Sequence, residues 1–229
     1  MKRFFLSISI IVFVGFHSNL HAQRIMGAVI AGFNTTNVQG DDVFGFHKVG
    51  LNAGAAAIVP FTEKWSLTVE AVYSQKGAFH REGGRGMDYR YEHDYNQYKL
   101  QLNYLEVPVL VHFRDKSGLS AGAGFSYGRL VGVKEYEDNV RIATTTLNDG
   151  PYDTDEYSAM VDVQYPIYKQ LKFGARYSFS LFKIRTRTYE NVPDDQEKIR
   201  KQYNQVLSFR VIWVFNEQAS RESRLKEGF

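Results

Sequence analysis

Two alternating stretches joined by a short charged turn constrain this chain more than any other feature of its sequence. Between Tyr98 and Gly128, apolar side chains recur at every second position on both sides of the turn Arg114–Ser117. They are Leu105, Val107, Val109, Val111 and Phe113 before the turn, and Leu119, Ala121, Ala123, Phe125 and Tyr127 after it. Because successive side chains of a strand point to opposite faces, this period predicts a β-hairpin with one apolar face. An apolar face about ten residues long, backed by small and polar residues, is typical of a hairpin that spans a membrane.

The composition fits a single barrel built from such strands. The 229 residues suffice for one domain, and aromatic residues reach 15%, as expected where strands meet a bilayer interface. Although 44% of the residues are hydrophobic, the mean hydropathy is −0.35, which indicates alternation rather than long apolar runs. The net charge of +3 and the lack of a basic run argue against a nucleic-acid partner. Because the chain has no cysteine, disulfides, thiol chemistry and cysteine-ligated metals are excluded.

The first 22 residues have the pattern of a secretion signal. Lys2 and Arg3 precede the apolar run Phe4–Phe16, and Ala22 ends the segment before Gln23. The alternative is a membrane-anchor helix, but this apolar run is shorter than the roughly twenty residues that a spanning helix needs. We therefore predict a signal peptide over residues 1–22 and a mature chain that begins outside the cytoplasm.

Eight strand-like segments are separated by connections that alternate between long and short. Two are the arms of the hairpin Tyr98–Gly128, and the others are Met26–Thr36, Lys48–Val59, Trp65–Phe79, Glu156–Ile167, Leu171–Thr186 and Tyr203–Phe215. This order predicts an all-β fold, an eight-stranded antiparallel up-and-down transmembrane β-barrel over residues 23–216, with a charged periplasmic tail over 217–229. The alternative is a soluble lipocalin-like barrel. Aromatic residues near the strand ends and small residues on the opposite face favour the membrane barrel.

One segment breaks the alternation. Leu100, Leu102 and Tyr104 share one phase, whereas Leu105 begins the opposite apolar phase. A β-bulge near Asn103 would reconcile the two halves. The alternative is that the upper half of this strand extends beyond the bilayer, where no apolar outer face is required.

Five charged residues are predicted to point into the barrel, because they alternate with the apolar positions of their strands. They are Glu70, Glu106, Asp162, Arg176 and Arg210. An eight-stranded barrel has room inside for side chains but not for an open water channel. Because an unpaired buried charge is costly, we predict a salt-bridge network in which Glu106 pairs with Arg176 or Arg210. The alternative use of these groups is a narrow proton or ion path. Pro108 lacks an N–H for the ladder, so we expect it at a bulge or a locally unpaired position.

No catalytic, cofactor-binding or metal-ligating residues are predicted. The loop His80–Gln97 carries His80, Glu82, Asp88, Glu92, His93 and Asp94, but without the spacing of a metal site. The acidic loop Asn148–Glu156 does not match an EF-hand and is explained by turns. The sequence also lacks the Gly-x-Ser-x-Gly, phosphate-loop and HExxH motifs. A Ser–His pair on the lipid-facing wall is not expected, because His112 is predicted to point inward. The chain is therefore predicted not to be an enzyme.

The motif Tyr104-Leu105-Glu106-Val107-Pro108 adds a family resemblance. Together with the signal peptide, the eight strands and the glycine-rich stretch Gly118–Gly128, it resembles the PorT-like outer-membrane β-barrel proteins of the Bacteroidota. Similar members carry YLEIP-type sequences on the fourth strand. The resemblance implies a location in the cell outer membrane. The named member of that family is implicated in type IX secretion and gliding.

These observations lead to two main functional hypotheses. The first is a non-enzymatic accessory or structural component of envelope assembly or protein secretion, acting through its loops or periplasmic turns. The second is a lipid-modifying outer-membrane enzyme. A small-solute or ion pore is disfavoured by the size of the barrel. The expected partners are outer-membrane lipid and other envelope or secretion proteins, and the barrel is expected to be a monomer without a cofactor.

Overall fold

The computed structural model describes residues 25–41, 45–81, 97–148, 150–188 and 199–216, and eight long strands account for most of them. In chain order the strands are β1 (Met26–Gln39), β2 (Lys48–Pro60), β3 (Trp65–Lys76), β4 (Gln97–Arg114), β5 (Ser120–Glu137), β6 (Asp155–Tyr168), β7 (Leu171–Ser180) and β8 (Ile199–Val214). Within these described ranges, no helix is long and apolar enough to cross a membrane.

The eight strands form a closed barrel. Each strand pairs antiparallel with the next one in the chain, and β8 pairs with β1 to close the ring. Closure removes the open edges at which a sheet could pair with another chain. Three short strands lengthen the wall at the end of the long loops: Phe79–Arg81 pairs with β4, Val140–Arg141 with β5, and Arg185–Thr188 with β8. The predicted eight-stranded up-and-down barrel is confirmed.

The apolar residues of the alternating pattern cover the outer wall. In the hairpin β4–β5, Leu105 is 54% exposed, whereas its neighbour Glu106 is 8% exposed. Two of the aromatic pairs lie near opposite ends of the wall. Trp65 packs on Phe113 near the tight turns, with 5.1 Å between ring centroids, and Tyr127 packs on Tyr157 near the long loops, at 5.5 Å. Aromatic residues near both ends of an apolar wall are typical of the girdles that flank a bilayer core.

Pro108 lies at an interruption of the ladder between β3 and β4. The register pairs Val69 with Val109 and resumes at Val72 with Glu106, so Pro108 is left out of the pairing with β3. On its other side Pro108 faces β5. The expectation of a locally unpaired position is confirmed, since proline has no N–H to donate to the ladder.

The register of β4 against β5 shifts between Asn103 and Tyr104, so the predicted bulge near Asn103 is confirmed. The extra residue, however, is Val131 on β5, and β4 keeps its alternation along its whole length. Leu100, Leu102 and Tyr104 therefore point inward and are fully buried. The expectation that the bulge reconciles the two apolar phases is wrong, because the barrel interior at this end is apolar.

Two predicted segments end earlier than expected. Strand β7 ends at Ser180 rather than Thr186. Leu181 and Ile184 still donate to the Tyr157 and Gln202 carbonyls, but the residues between them leave the ladder before the chain rejoins β8. Strand β3 ends at Lys76 rather than Phe79, just before Gly77, whose φ of 134° is incompatible with a continuing strand.

Inward side chains fill the barrel in three layers. At the tight-turn end, the turn-end plug consists of Met26, Ala28, Ile30, Ile58, Ile212 and Val214. At the long-loop end, the loop-end plug consists of Val38, Ala78, Tyr98, Leu100, Leu102, Tyr104, Leu130, Val133, Tyr152 and Ile184. Between the two plugs lies a layer of buried polar and charged side chains, which we call the charged layer. Its ionisable members are Glu70, Lys76, Glu106, His112, Glu156, Asp162, Arg176 and Arg210.

Candidate functional site

The charged layer is built around two arginines and two carboxylates. Arg176 donates to both Glu70 oxygens, with Nη1–Oε2 at 2.8 Å and Nη2–Oε1 at 2.7 Å, and its Nε donates to Asp162 Oδ2 at 2.9 Å. Arg210 donates to Glu70 Oε2 at 3.2 Å and also contacts Asp162 Oδ2. All four side chains are at most 6% exposed. Removing such ions from water is costly, and the cluster offsets this by pairing each guanidinium with both carboxylates.

His112 extends this cluster toward the turn-end plug. Its Nε2 lies 3.6 Å from Asp162 Oδ1. Its Nδ1 lies 3.1 Å from the Thr68 hydroxyl, and its Nε2 lies 3.3 Å from the Gln164 amide nitrogen. The ring is thus engaged on both nitrogens within the barrel, as the predicted inward orientation requires, and its contacts hold neighbouring strands in register.

Glu106 does not join the arginines. Its Oε1 lies 2.5 Å from the Nζ of Lys76, which also donates to Glu156 Oε1 at 2.9 Å. The predicted pairing of Glu106 with Arg176 or Arg210 is therefore wrong. Strands are tilted in a barrel, so residues that share a face do not share a height, and the lysine of β3 is the cation that reaches Glu106.

Glu156 is satisfied by several donors besides Lys76. Ser158 donates to its Oε1 at 3.0 Å, and Asn204 donates to its Oε2 at 3.1 Å. The Lys76 ammonium lies 4.9 Å from the centroid of the Tyr104 ring, a cation–π contact that adds to its stabilisation. One buried lysine thus serves two carboxylates, and polar side chains provide the remaining hydrogen bonds.

Sequence reasoning missed both Lys76 and Glu156, although a signal for each was present. Lys76 lies six residues after Glu70, and Glu156 lies six residues before Asp162. An even spacing keeps side chains on the same face of a strand. Extending the inward phase to the strand ends would have placed both residues inside the barrel.

A small amide and hydroxyl cluster inside the barrel links β1 to β2, β3 and β8. Asn34 donates to the Ser74 hydroxyl at 3.0 Å and accepts from Asn52 at 3.1 Å and from Ser208 at 2.7 Å. Because each bond joins two different strands, the cluster adds side-chain links to the backbone ladders. The polar interior is therefore a fixed network rather than an open lumen.

The loop-end plug is closed by the connection between β5 and β6. Glu135 accepts hydrogen bonds from Tyr98 at 2.7 Å, Thr145 at 2.5 Å and Arg185 at 2.9 Å. Arg185 also donates to the phenol of Tyr152, a residue of that connection. Burial, assisted by the nearby Glu135 carboxylate, raises the pKa of Tyr152 above its ordinary value. These contacts hold the connection across the barrel mouth.

The loop residues weighed as metal ligands give no site in the part of the chain that the structure describes. His80 is buried at 4% exposure. Glu82, Asp88, Glu92, His93 and Asp94 lie outside the described residues. Among the residues that are described, no group of three or more histidines and carboxylates is arranged to hold a metal ion.

The family of the chain agrees with this architecture. Residues 7–185 match the family model described as outer membrane protein beta-barrel domain, which is more than half of the sequence. The chain belongs to this family of outer-membrane β-barrels, and the protein is located in the outer membrane. No curated protein matches the sequence.

Three solved structures are similar to the chain at low scores. Neisserial surface protein A is 10% identical, with a TM-score of 0.43 over 82% of this chain and 96% of that one. Ail, the attachment invasion locus protein of Yersinia pestis, is 11% identical, with a TM-score of 0.41 over 82% and 98%. The outer membrane protease OmpT of Escherichia coli is 9% identical, with a TM-score of 0.35 over 87% and 99%. These similarities are too low to indicate what this chain does.

Proposed function

We propose that this protein is a non-enzymatic outer-membrane barrel that serves as an accessory or structural component of envelope assembly or protein secretion. The observation that supports this proposal most is the filled interior. The turn-end plug, the charged layer and the loop-end plug follow one another along the barrel axis. Because the apolar outer wall faces the lipid, the surfaces left for recognition of other proteins are the loops and the periplasmic turns.

The filled interior also argues against the pore alternative. A permeating ion would have to cross two apolar plugs and displace arginines that are hydrogen-bonded to two carboxylates each. Displacing one partner leaves a buried charge without compensation, which is strongly unfavourable. A function carried out at the two ends of the barrel requires no such rearrangement.

The resemblance to PorT-like proteins supports a role in a type IX-like secretion process of a Bacteroidota envelope. The residues that carry it, Tyr104–Pro108, lie in β4, where Tyr104, Glu106 and Pro108 face inward. In this protein the motif therefore stabilises the barrel interior. Partners bind at the exposed ends of the barrel. A deletion strain should lose secretion or assembly of envelope proteins while its outer-membrane lipids stay unchanged. Altered lipids with normal secretion would instead favour the lipid-modifying enzyme.

Site-specific photocrosslinking tests where partners bind. A photoreactive residue at Lys116, in the turn between β4 and β5, and another at Val140, beyond the end of β5, sample the two ends. A third at Val109, which is 42% exposed in the middle of the apolar wall, is the matched control. We expect crosslinks to envelope proteins from at least one end and not from Val109. Protein crosslinks absent from both ends, together with normal secretion in the deletion strain, would contradict the proposal.

A further inference from the structure

The outer wall is interrupted between β7 and β8 near the long loops. The register pairs Phe179 with Gln205 and resumes at Arg185 with Gln202. The five residues Ser180–Ile184 therefore lie opposite only Tyr203 and Asn204. The extra residues cannot stay in the ladder, so the chain must leave the plane of the sheet at this point.

Both ends of this interruption are held in place. The Ser180 hydroxyl donates to the Asn204 carbonyl at 3.1 Å and accepts from the Asn204 N–H at 2.6 Å. The Ile184 N–H donates to the Gln202 carbonyl at 2.8 Å, and its side chain is buried in the loop-end plug. Leu181 still donates its N–H to the Tyr157 carbonyl at 2.8 Å, and the side chains of Leu181–Lys183 are exposed on the outside of the barrel. We call these three residues the wall protrusion.

A groove lies beside the wall protrusion on the outside of the barrel. Its volume is about 530 Å³, and it is lined by Asp153, Thr154, Asp155, Tyr157, Leu181, Phe182, Lys183, Lys201 and Tyr203. One part of the lining is apolar. Phe182 is 64% exposed, and its ring packs edge-on with the ring of Tyr157, with 5.9 Å between the ring centroids. The other part is charged. The groove thus lies where the apolar wall gives way to polar groups, which is the level of lipid headgroups.

The charges of the groove favour an anion. Asp155 is already compensated, because it accepts from Arg129 Nη1 and from the Tyr127 hydroxyl, each at 2.7 Å. Lys183 donates to the Thr186 hydroxyl at 3.0 Å, and an ammonium group has three donors. The lining holds two lysines and two aspartates. Because Arg129, which lies outside the lining, already pairs with Asp155, Lys183 and Lys201 face one further aspartate, Asp153.

We propose that this groove binds the phosphomonoester headgroup of an outer-leaflet lipid. Lys183 and Lys201 donate hydrogen bonds to the phosphate oxygens, while the acyl chains lie against Phe182 and Tyr157. Two ammonium groups and an adjoining aromatic surface match an amphiphile that carries a compact anion on apolar chains. The groove lies at the long-loop end, which in barrels of this class is the extracellular side.

Native mass spectrometry of the barrel refolded in neutral detergent tests the site. The probes are dimyristoyl phosphatidic acid, which presents a phosphomonoester, and dimyristoyl glycerol, which has the same chains without it. We expect one tightly bound phosphatidic acid and no comparable binding of the diacylglycerol. Binding in Lys183→Gln/Lys201→Gln should be weaker by about tenfold or more, since each charge-assisted hydrogen bond contributes substantially.

The matched control is Lys64→Gln/Lys116→Gln, which removes two exposed lysines from the opposite end of the barrel. It should bind phosphatidic acid like the wild type. Inorganic phosphate at the lipid's concentration should not displace the lipid, because it lacks the chains. Equal binding of the two lipids by the wild type overturns the proposal without any variant. Full displacement of the lipid by inorganic phosphate would also overturn the proposal. So would unchanged lipid binding by the Lys183→Gln/Lys201→Gln variant, provided that its shifted gel migration without heating shows a folded barrel.

Discussion

At the scale of single residues, the ion pairs of the charged layer form two groups with different balances. Glu70 and Asp162 face two arginines, so their charges cancel within one cluster. In the other group, Lys76 is the one cation among the described residues that pairs with Glu106 and Glu156. The second group depends on a single cation, and its two carboxylates would repel each other without it.

Lys76→Met should therefore be among the most destabilising substitutions in the chain. Methionine keeps the apolar stem but leaves two buried carboxylates without their cation, and breaking a buried pair typically costs about 3–5 kcal/mol. The measurement is the free energy of unfolding in urea for the barrel refolded into lipid or detergent. Glu106→Gln should lower the free energy of unfolding less than Lys76→Met does, because Lys76 keeps Glu156 as its partner.

Lys64→Met is the control for that substitution, since Lys64 lies exposed in the turn before β3. Exposed charges contribute about 0–1 kcal/mol, so its stability should remain close to wild type. Equal stability of Lys76→Met and Lys64→Met would show that the two carboxylates are solvated in the folded barrel.

The interior positions could be predicted from the sequence, but their partners could not. Period-two alternation is sufficient to place Glu70, Asp162 and Arg210 inside, because it assigns each residue to a face of its strand. Which cation reaches Glu106 depends on the stagger of neighbouring strands around the barrel. That stagger is set by the closure of the barrel and the tilt of its strands. The alternation within one strand contains no information about either.

At the scale of elements, alternation within single strands is also insufficient to predict the wall protrusion and the apolar loop-end plug. The sequence Leu181–Ile184 is rich in apolar residues and resembles a continuing strand. The alternation pattern therefore does not show that the chain leaves the ladder here. Leu100 and Leu102 lie in the interior because β4 keeps the same alternation along its whole length. The groove beside the wall protrusion could therefore be found only from the strand register.

The contact between β4 and β5 depends on a glycine. A Cβ at Gly124 would overlap the Val109 carbonyl oxygen and lie 2.7 Å from the Cα of Leu110. Gly124→Ala should thus force the two strands apart and destabilise the barrel by about 1–3 kcal/mol, as overpacking does. Urea unfolding measures this loss.

Gly27→Ala is the matched control, because a Cβ there would meet only Phe215, at an ordinary 3.6 Å. Its stability should stay within about 0.5 kcal/mol of wild type. If Gly124→Ala unfolds at the same urea concentration as Gly27→Ala, the close approach of β4 and β5 does not limit the side chain at position 124.

At the scale of the whole molecule, the barrel is a filled cylinder between two differently shaped ends. The interior stabilises the fold, the apolar wall matches the membrane, and the loops and turns remain for partners. Planar bilayers containing the protein should consequently show no conductance steps, whereas a porin of sixteen or more strands in the same membranes should conduct. Reproducible steps from the purified, heat-modifiable protein would show that the two plugs are open.

The orientation in the membrane is the last property that the architecture specifies. Short turns face the periplasm in barrels of this class and long connections face outward, so Lys116 should lie in the periplasm and Val140 outside. The protein contains no cysteine, which makes single-cysteine variants free of background. Val140 is 70% exposed, and Val140→Cys should react with a membrane-impermeant maleimide on intact cells. Lys116→Cys should react only after the outer membrane is permeabilised. Labelling of Lys116→Cys but not Val140→Cys on intact cells would reverse the orientation and move the proposed lipid groove to the periplasmic leaflet.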